Sequence, residues 1–227
     1  MKKELIILAA AIIACGSLQA QAAKWGGPYA GISVGSTELK TNWKNLDGDW
    51  GGLSWDGSRY GITYGLHGGY NFQTGPLVLG GEASYSFASL NRSARMADTP
   101  DPGGESTWSS SLVVRTDNVK SILTVKGKVG LEVDTALLYL TAGASRLSID
   151  HTWAEDADPN DSWSFKTAKT VAVYGAGLAF KVTPKVSANL EFLTSRKAET
   201  TGTNPGGYVM RTTDRVQTLQ GGVTYHF

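Results

Sequence analysis

A single cysteine, Cys15, is all that 227 residues contain, so no disulfide can form within the chain. Charge is also scarce, at 18% of residues, and 21 basic residues against 20 acidic ones leave a net +1. A nucleic-acid-binding surface needs a clustered basic excess, and none is present. The longest apolar run, LIILAAAIIA at 5–14, is about half the roughly 20 residues a membrane-spanning helix requires. No proline-serine tract or shift in composition marks a boundary, which implies one domain.

The short apolar run follows Lys2 and Lys3 and precedes Ala20-Gln21-Ala22, a small-x-small pattern. That order predicts a signal peptide over 1–22, cleaved after Ala22, with 23–227 as the exported part. Cys15 after Ile12-Ile13-Ala14 also resembles a lipoprotein box, which would instead make Cys15 a lipidated first residue. With cleavage after Ala22 the exported chain has no cysteine, and its stability must come from a large core or a closed hydrogen-bonded wall.

Abundant instead are 28 glycines, 7 tryptophans and 9 tyrosines, a composition that suits short strands and polar turns. Large and small side chains alternate with a period of two in eight segments, predicting strands at 28–40, 59–73, 77–89, 113–133, 137–149, 170–182, 186–196 and 211–227. Their connections alternate as well. Tight turns fall at 73–76, 134–136 and 183–185, and long polar loops at 41–58, 90–112, 150–169 and 197–210. Short turns on one side and long loops on the other describe an all-β, eight-stranded, antiparallel up-and-down barrel in an outer membrane, with periplasmic turns and extracellular loops. An even strand number brings both chain ends to the turn side and lets the last strand close on the first, so no sheet edge is left in lipid.

One parity collects bulky uncharged residues: Ile32, Val34, Ile62, Tyr64, Leu66, Leu79, Tyr85, Phe87, Leu123, Val125, Leu138, Leu140, Tyr174, Leu178, Leu190, Phe192, Leu219 and Val223. This is the expected lipid face, where a charge near the midplane costs about 2–4 kcal/mol. The other parity holds small and charged residues, among them Gly61, Thr63, Gly65, His67, Gly175, Gly177 and Asn189. Within it Glu82, Lys126, Lys128, Glu132 and Glu191 are expected to form an ion-pair network in the lumen. Such a network serves either as the lining of a selective pore or as a filled core. Eight strands leave a bore just wide enough for side chains to fill, which favours the core.

The stretch VAVYGAGLAFKVTPKVSANLEF from Val171 resembles the most recognisable segment of the small outer-membrane β-barrel proteins of Gram-negative bacteria, including the surface immunogenic and porin-like proteins of alphaproteobacteria. Lys126-Gly127-Lys128-Val129-Gly130 is similar to that family's basic-Gly-basic strand, Trp25-Gly-Gly-Pro-Tyr29-Ala-Gly31 to its aromatic opening, and Val223-Thr-Tyr-His-Phe227 to its ending. Lysines stand at 126 and 128 where the family favours arginine, and Ala179 where it often has an inward glutamate, which implies a thinner lumen network. The resemblance implies roles as diverse as surface antigen, adhesion factor, structural protein and weak porin. Gln220, Gly222, Tyr225 and Phe227 match a polar-x-Gly-x-x-apolar-x-apolar pattern resembling the assembly signal read by the barrel-insertion machinery, through which periplasmic chaperones would deliver the chain. The same residues serve equally as the last part of the lipid-facing girdle.

Catalytic groups are few. His67 and His226 fall on inward parity, and Asp150-His151 lies near Asp156, Asp158 and Asp161, but neighbours on a strand point to opposite faces. The Asp156-Ala-Asp158-Pro-Asn160 stretch begins like a calcium loop, yet has Asp161 where glycine belongs and Thr167 where the bidentate glutamate belongs. The loop tryptophans Trp43, Trp50, Trp55, Trp108, Trp153 and Trp163 suit contact with lipopolysaccharide or anchoring at the upper interface. The reading is therefore a non-enzymatic outer-membrane barrel with a structural, surface-exposed role and no metal or cofactor. A narrow channel is the second reading and a lipid-modifying enzyme the third. The sequence sets no oligomeric state.

Overall fold

Residues that alternate between bulky and small extend readily, because a pleated strand sends successive side chains to opposite faces. The chain carries this pattern around a closed wall. The structure, a computed structural model, describes residues 25–46, 54–89, 93–96, 113–155, 162–203 and 209–227. The expected signal peptide, Cys15, Trp50, Trp108 and the acidic residues Asp156 to Asp161 lie outside them.

Among the described residues ten strands follow in order: β1 (Gly27–Asn45), β2 (Ser54–Thr74), β3 (Leu77–Ser89), β4 (Ser93–Met96), β5 (Val113–Val133), β6 (Ala136–Glu155), β7 (Ser162–Thr183), β8 (Val186–Ser195), β9 (Ala198–Thr203) and β10 (Val209–His226). Neighbours pair antiparallel in the order β1-β2-β3-β5-β6-β7-β8-β10, and β10 returns to β1 from Tyr29↔His226 to Asn45↔Met210. Eight strands thus close the barrel, and the Phe227 amide completes the seam by donating to the Pro28 carbonyl at 3.2 Å. β4 extends β3 by pairing with β5, and β9 extends β8 by pairing with β10. Among the described residues no helix is long and apolar enough to cross a membrane, and crossing by strands needs none.

The turn side is tight. Gly75 and Asp134, the first residues of two-residue turns, sit at φ 56° and φ 55°, the positive values that primed hairpin turns demand.

The loop side departs from expectation. The loops expected at 41–58, 150–169 and 197–210 are largely strand: β1 runs on to Asn45, β2 begins at Ser54, β6 reaches Glu155, β7 begins at Ser162, and β9 occupies Ala198–Thr203. Trp43 pairs in register with Trp55, and Trp153 with Trp163, so these four are strand residues. At this level the outer face carries exposed polar residues and the inner face holds paired polar groups such as Thr41 and Asp214, so the apolar alternation that marks a strand in lipid is no longer required. Threonine-rich stretches such as β9 hold the extended form by pairing, here with β10, helped by the β-propensity of threonine. At this level the wall divides into two four-stranded flaps, β4-β5-β6-β7 and β9-β10-β1-β2, with no ladder between β2 and β4 or between β7 and β9 among the described residues.

None of the eighteen residues assigned to the lipid face is buried; Ile32, Leu66 and Leu140 are each more than 60% exposed. The lower rim carries an aromatic girdle in which Tyr70 lies 4.7 Å from Phe72, and Tyr225 5.2 Å from Phe227. Arginine in place of Leu66 should destabilise the barrel by about 2–4 kcal/mol in lipid vesicles, an expectation specific to a hydrocarbon-facing position. The shift in gel mobility between unheated and boiled samples, followed across a urea series, measures it.

Candidate functional site: the filled lumen

The inward faces of the strands form layers along the barrel axis. At the turn end Trp25 closes the bore, 1% exposed, packed with Val78, Leu137, Tyr139 and Ala179. It is tied on both sides of its peptide unit: its amide donates to Gln73 Oε1 at 2.8 Å, and its carbonyl accepts from Asn71 Nδ2 at 3.1 Å. Lys181 Nζ lies 4.9 Å over its ring and His226 meets it edge-on at 5.8 Å.

Above this stopper lies the charged layer. Lys126 and Lys128, two apart on β5, share a face, and the register sets Glu82 of β3 directly opposite Lys126. Glu191 reaches in from β8. Lys126 Nζ bridges the two carboxylates, 3.1 Å from Glu82 and 2.5 Å from Glu191, while Lys128 Nζ lies 3.1 Å from Glu82. Two positive and two negative charges therefore balance. Their remaining lone pairs are met as well: Tyr29 Oη donates to Glu82 at 2.9 Å, and Gln220 Nε2 donates to Glu191 at 2.9 Å. Lys128 lies 5.0 Å over the Tyr29 ring and 4.6 Å over that of Tyr139. A Cβ on Gly177 would collide with the Tyr139 ring, so glycine there makes room for it.

Four of the five expected network residues thus meet. Glu132 lies four residues further down β5, about 13 Å along the strand, where Gln73 Nε2 donates to its carboxylate. The inward histidines are held by hydroxyls: His67 Nε2 shares a hydrogen bond with Thr224 Oγ1 at 2.9 Å, and His226 Nε2 with Ser187 Oγ at 2.9 Å.

A hydroxyl layer follows, in which Thr37 meets Thr218 at 2.9 Å and Thr63 at 3.3 Å, and Thr124 meets Ser145 at 2.6 Å. It surrounds a cavity of about 30 Å³, room for one or two waters. Over it Leu39, Ile122, Leu147, Val171, Val173, Ala198 and Val216 form a second apolar cluster that caps the bore from above. Higher still, Thr41 Oγ1 donates to Asp214 at 2.7 Å.

The residues of the proposed assembly signal divide between the two faces. Gln220 and Gly222 point inward, Gly222 against Asn189, while Tyr225 and Phe227 are exposed on the girdle.

A barrel of this shape recurs among known proteins, and the family model described as the outer membrane protein beta-barrel domain matches residues 7–227. The chain belongs to the outer-membrane β-barrel protein family. Solved structures similar to this barrel include the outer membrane protease OmpT of Escherichia coli, with a TM-score of 0.50 at 11% identity over 92% of this chain and 99% of that one. The attachment invasion locus protein Ail of Yersinia pestis gives 0.41 at 16% identity over 88% and 99%, and Neisserial surface protein A gives 0.41 at 12% over 86% and 97%. None of the curated proteins matches the chain. At 11% identity the likeness to OmpT speaks for the fold alone.

Two parts of this outer-membrane barrel's lumen escape sequence reasoning: the Trp25 stopper and the upper apolar cap. The cap has a signal, since inward parity changes from small or charged to Leu, Ile or Val at 39, 122, 147, 171, 173 and 216. Bulky residues then occupy both parities, and an outward assignment by size alone passes over them. Ala179 packs into the stopper layer, so apolar burial fills that part of the lumen.

Replacing Lys126 by methionine leaves Glu191 without a cation, while Glu82 keeps Lys128, and should cost about 3–5 kcal/mol. Urea unfolding of the refolded barrel measures it, and adding Glu191→Gln should recover part of the loss.

Proposed function

We propose that this protein is a non-enzymatic, architectural barrel of the outer membrane, exported by its N-terminal signal peptide, whose sealed wall holds extracellular flaps and loops at the surface. The observation that carries this reading is the order of layers inside the bore: an apolar stopper, a neutral ion-pair lattice, a hydroxyl layer and an apolar cap. An ion crossing it would have to displace paired buried charges and then pass two apolar layers, each of which opposes a bare charge by several kcal/mol. Planar-bilayer recording tests this. The purified barrel should show no discrete openings, whereas a channel would show unitary steps that respond to neutralising Lys126.

Among the described residues the hydroxyl-lined cavity favours the narrow-channel reading, and it lies between the sealing layers. Support for a non-catalytic role comes from His67 and His226, both inside the wall and hydrogen-bonded to hydroxyls. Asp150 and His151 occupy adjacent positions of β6.

Gln220, Gly222, Tyr225 and Phe227 act in this reading as the assembly signal. β10 offers the insertion machinery its main chain before β1 arrives to close the seam, and Tyr225 and Phe227 supply the side chains that are recognised. Changing Phe227 to aspartate should slow assisted insertion into membranes at least tenfold. Spontaneous refolding in detergent should keep its rate, because Phe227 lies beyond the last strand.

A further inference from the structure

The outer wall carries a feature that folding alone does not explain. On β1 and β10 the register sets Lys40 directly opposite Arg215 and Lys44 directly opposite Arg211. Each pair shares the outward face, and like charges directly opposite each other destabilise a sheet. Arg196 and Lys197, in the two-residue bend between β8 and β9, adjoin Arg215, whose Nε donates to the Ser195 carbonyl at 3.5 Å. Five of the six cations are exposed, and Arg215 is half-buried. Among the described side chains two outward acids accompany them: Glu38, 3.4 Å from Lys40, and Glu199. Among the described side chains, the far side of the barrel presents one outward cation at this level, Arg146 on β6.

Directly below the cations of β1 and β10, a shallow groove of about 700 Å³ runs down the lipid face of β10, β1, β2 and β3 between Ile32, Val34, Tyr64, Leu66, Phe87 and Val223. It exists because the outward position 221 is glycine. A Cβ there would meet nothing closer than the Asn189 carbonyl at 3.6 Å, so a side chain would fit.

We infer that the outer wall of β8, β9, β10 and β1 is a binding site for one phosphorylated lipid of the outer leaflet, its phosphates held between the opposed cations and an acyl chain lying in the groove at Gly221. The ligand's charge relieves the repulsion that the bare sheet carries. A site of cations alone would suit any soluble polyanion; the groove beneath them selects a molecule with a tail. This site presupposes that the barrel spans the outer membrane, and it is independent of whether the lumen conducts.

Native mass spectrometry of the full-length barrel released from detergent tests it, with bisphosphorylated lipid A as the probe. Phosphatidylcholine is the neutral-headed control and inorganic phosphate the tail-free one. Lipid A should be retained in preference to both, and each cation removed among Lys44, Arg211 and Arg215 by change to glutamine should weaken binding about five-fold. Gly221→Leu should weaken it too, by filling the groove, while Arg146→Gln and the charge-keeping pair Lys40→Arg with Lys44→Arg should leave it intact. Without lipid A, Arg215→Gln should be at least as heat-stable as the parent, which a purely structural arginine would not allow. Unchanged retention in the glutamine variants, or competition by inorganic phosphate alone, overturns the proposal. Heat-dependent gel mobility in the same samples reports separately on the barrel, so loss of the site and loss of the fold are told apart.

Discussion

Hydrocarbon offers a peptide group no hydrogen-bond partner, and that one constraint organises this molecule. A strand crossing lipid must have a neighbour on both sides, so the first and last strands must find each other. The seventeen-residue register of β1 against β10, from Tyr29↔His226 to Asn45↔Met210, is where the chain meets that demand. Once the wall is closed, its two faces see opposite solvents, and residue choice follows: branched and aromatic residues outside, small or mutually bonded residues inside.

Closure also sets the problem of the interior. Eight strands enclose too little room for bulk water, so the inward charges and most inward polar groups pair with one another. Glycine at 177 admits the Tyr139 ring, Tyr139 and Tyr29 face Lys128, and Lys128 shares Glu82 with Lys126. The polar lattice is neutral as a whole and is held between apolar layers that keep water away from it. A buried lattice of this kind adds little net stability when intact and is costly when broken, so its main effect is to fix one packing of the wall.

The part of the fold governed by lipid was the part legible in the sequence. Period-two alternation located eight crossing strands, and the same parity assigned Glu82, Lys126, Lys128 and Glu191 to a common interior. Legibility ended where the lipid did. β1 continues through Thr41-Asn42-Trp43-Lys44-Asn45 and β9 through Ala198–Thr203 with no apolar stripe, because the outer face is polar there and the inner one holds small or paired groups such as Ala198 and Thr41. The upper cap was hidden for a related reason: Val171 and Val173 are bulky on the inward parity while Tyr174 is bulky on the outward one, and size alone cannot say which solvent each meets. The cation pairs on β1 and β10 were invisible for want of register, since Lys40 and Arg215 are far apart in sequence and adjacent only once the seam is closed.

Hydrogen–deuterium exchange of the barrel in detergent micelles, resolved by strand, addresses that closure most directly. Amides of β1 and β10 along the seam should exchange as slowly as those of β5 and β6, which are joined by a tight turn. Fast exchange confined to β1 and β10, as for two open sheet edges, would contradict the closed wall and with it the assignment of faces.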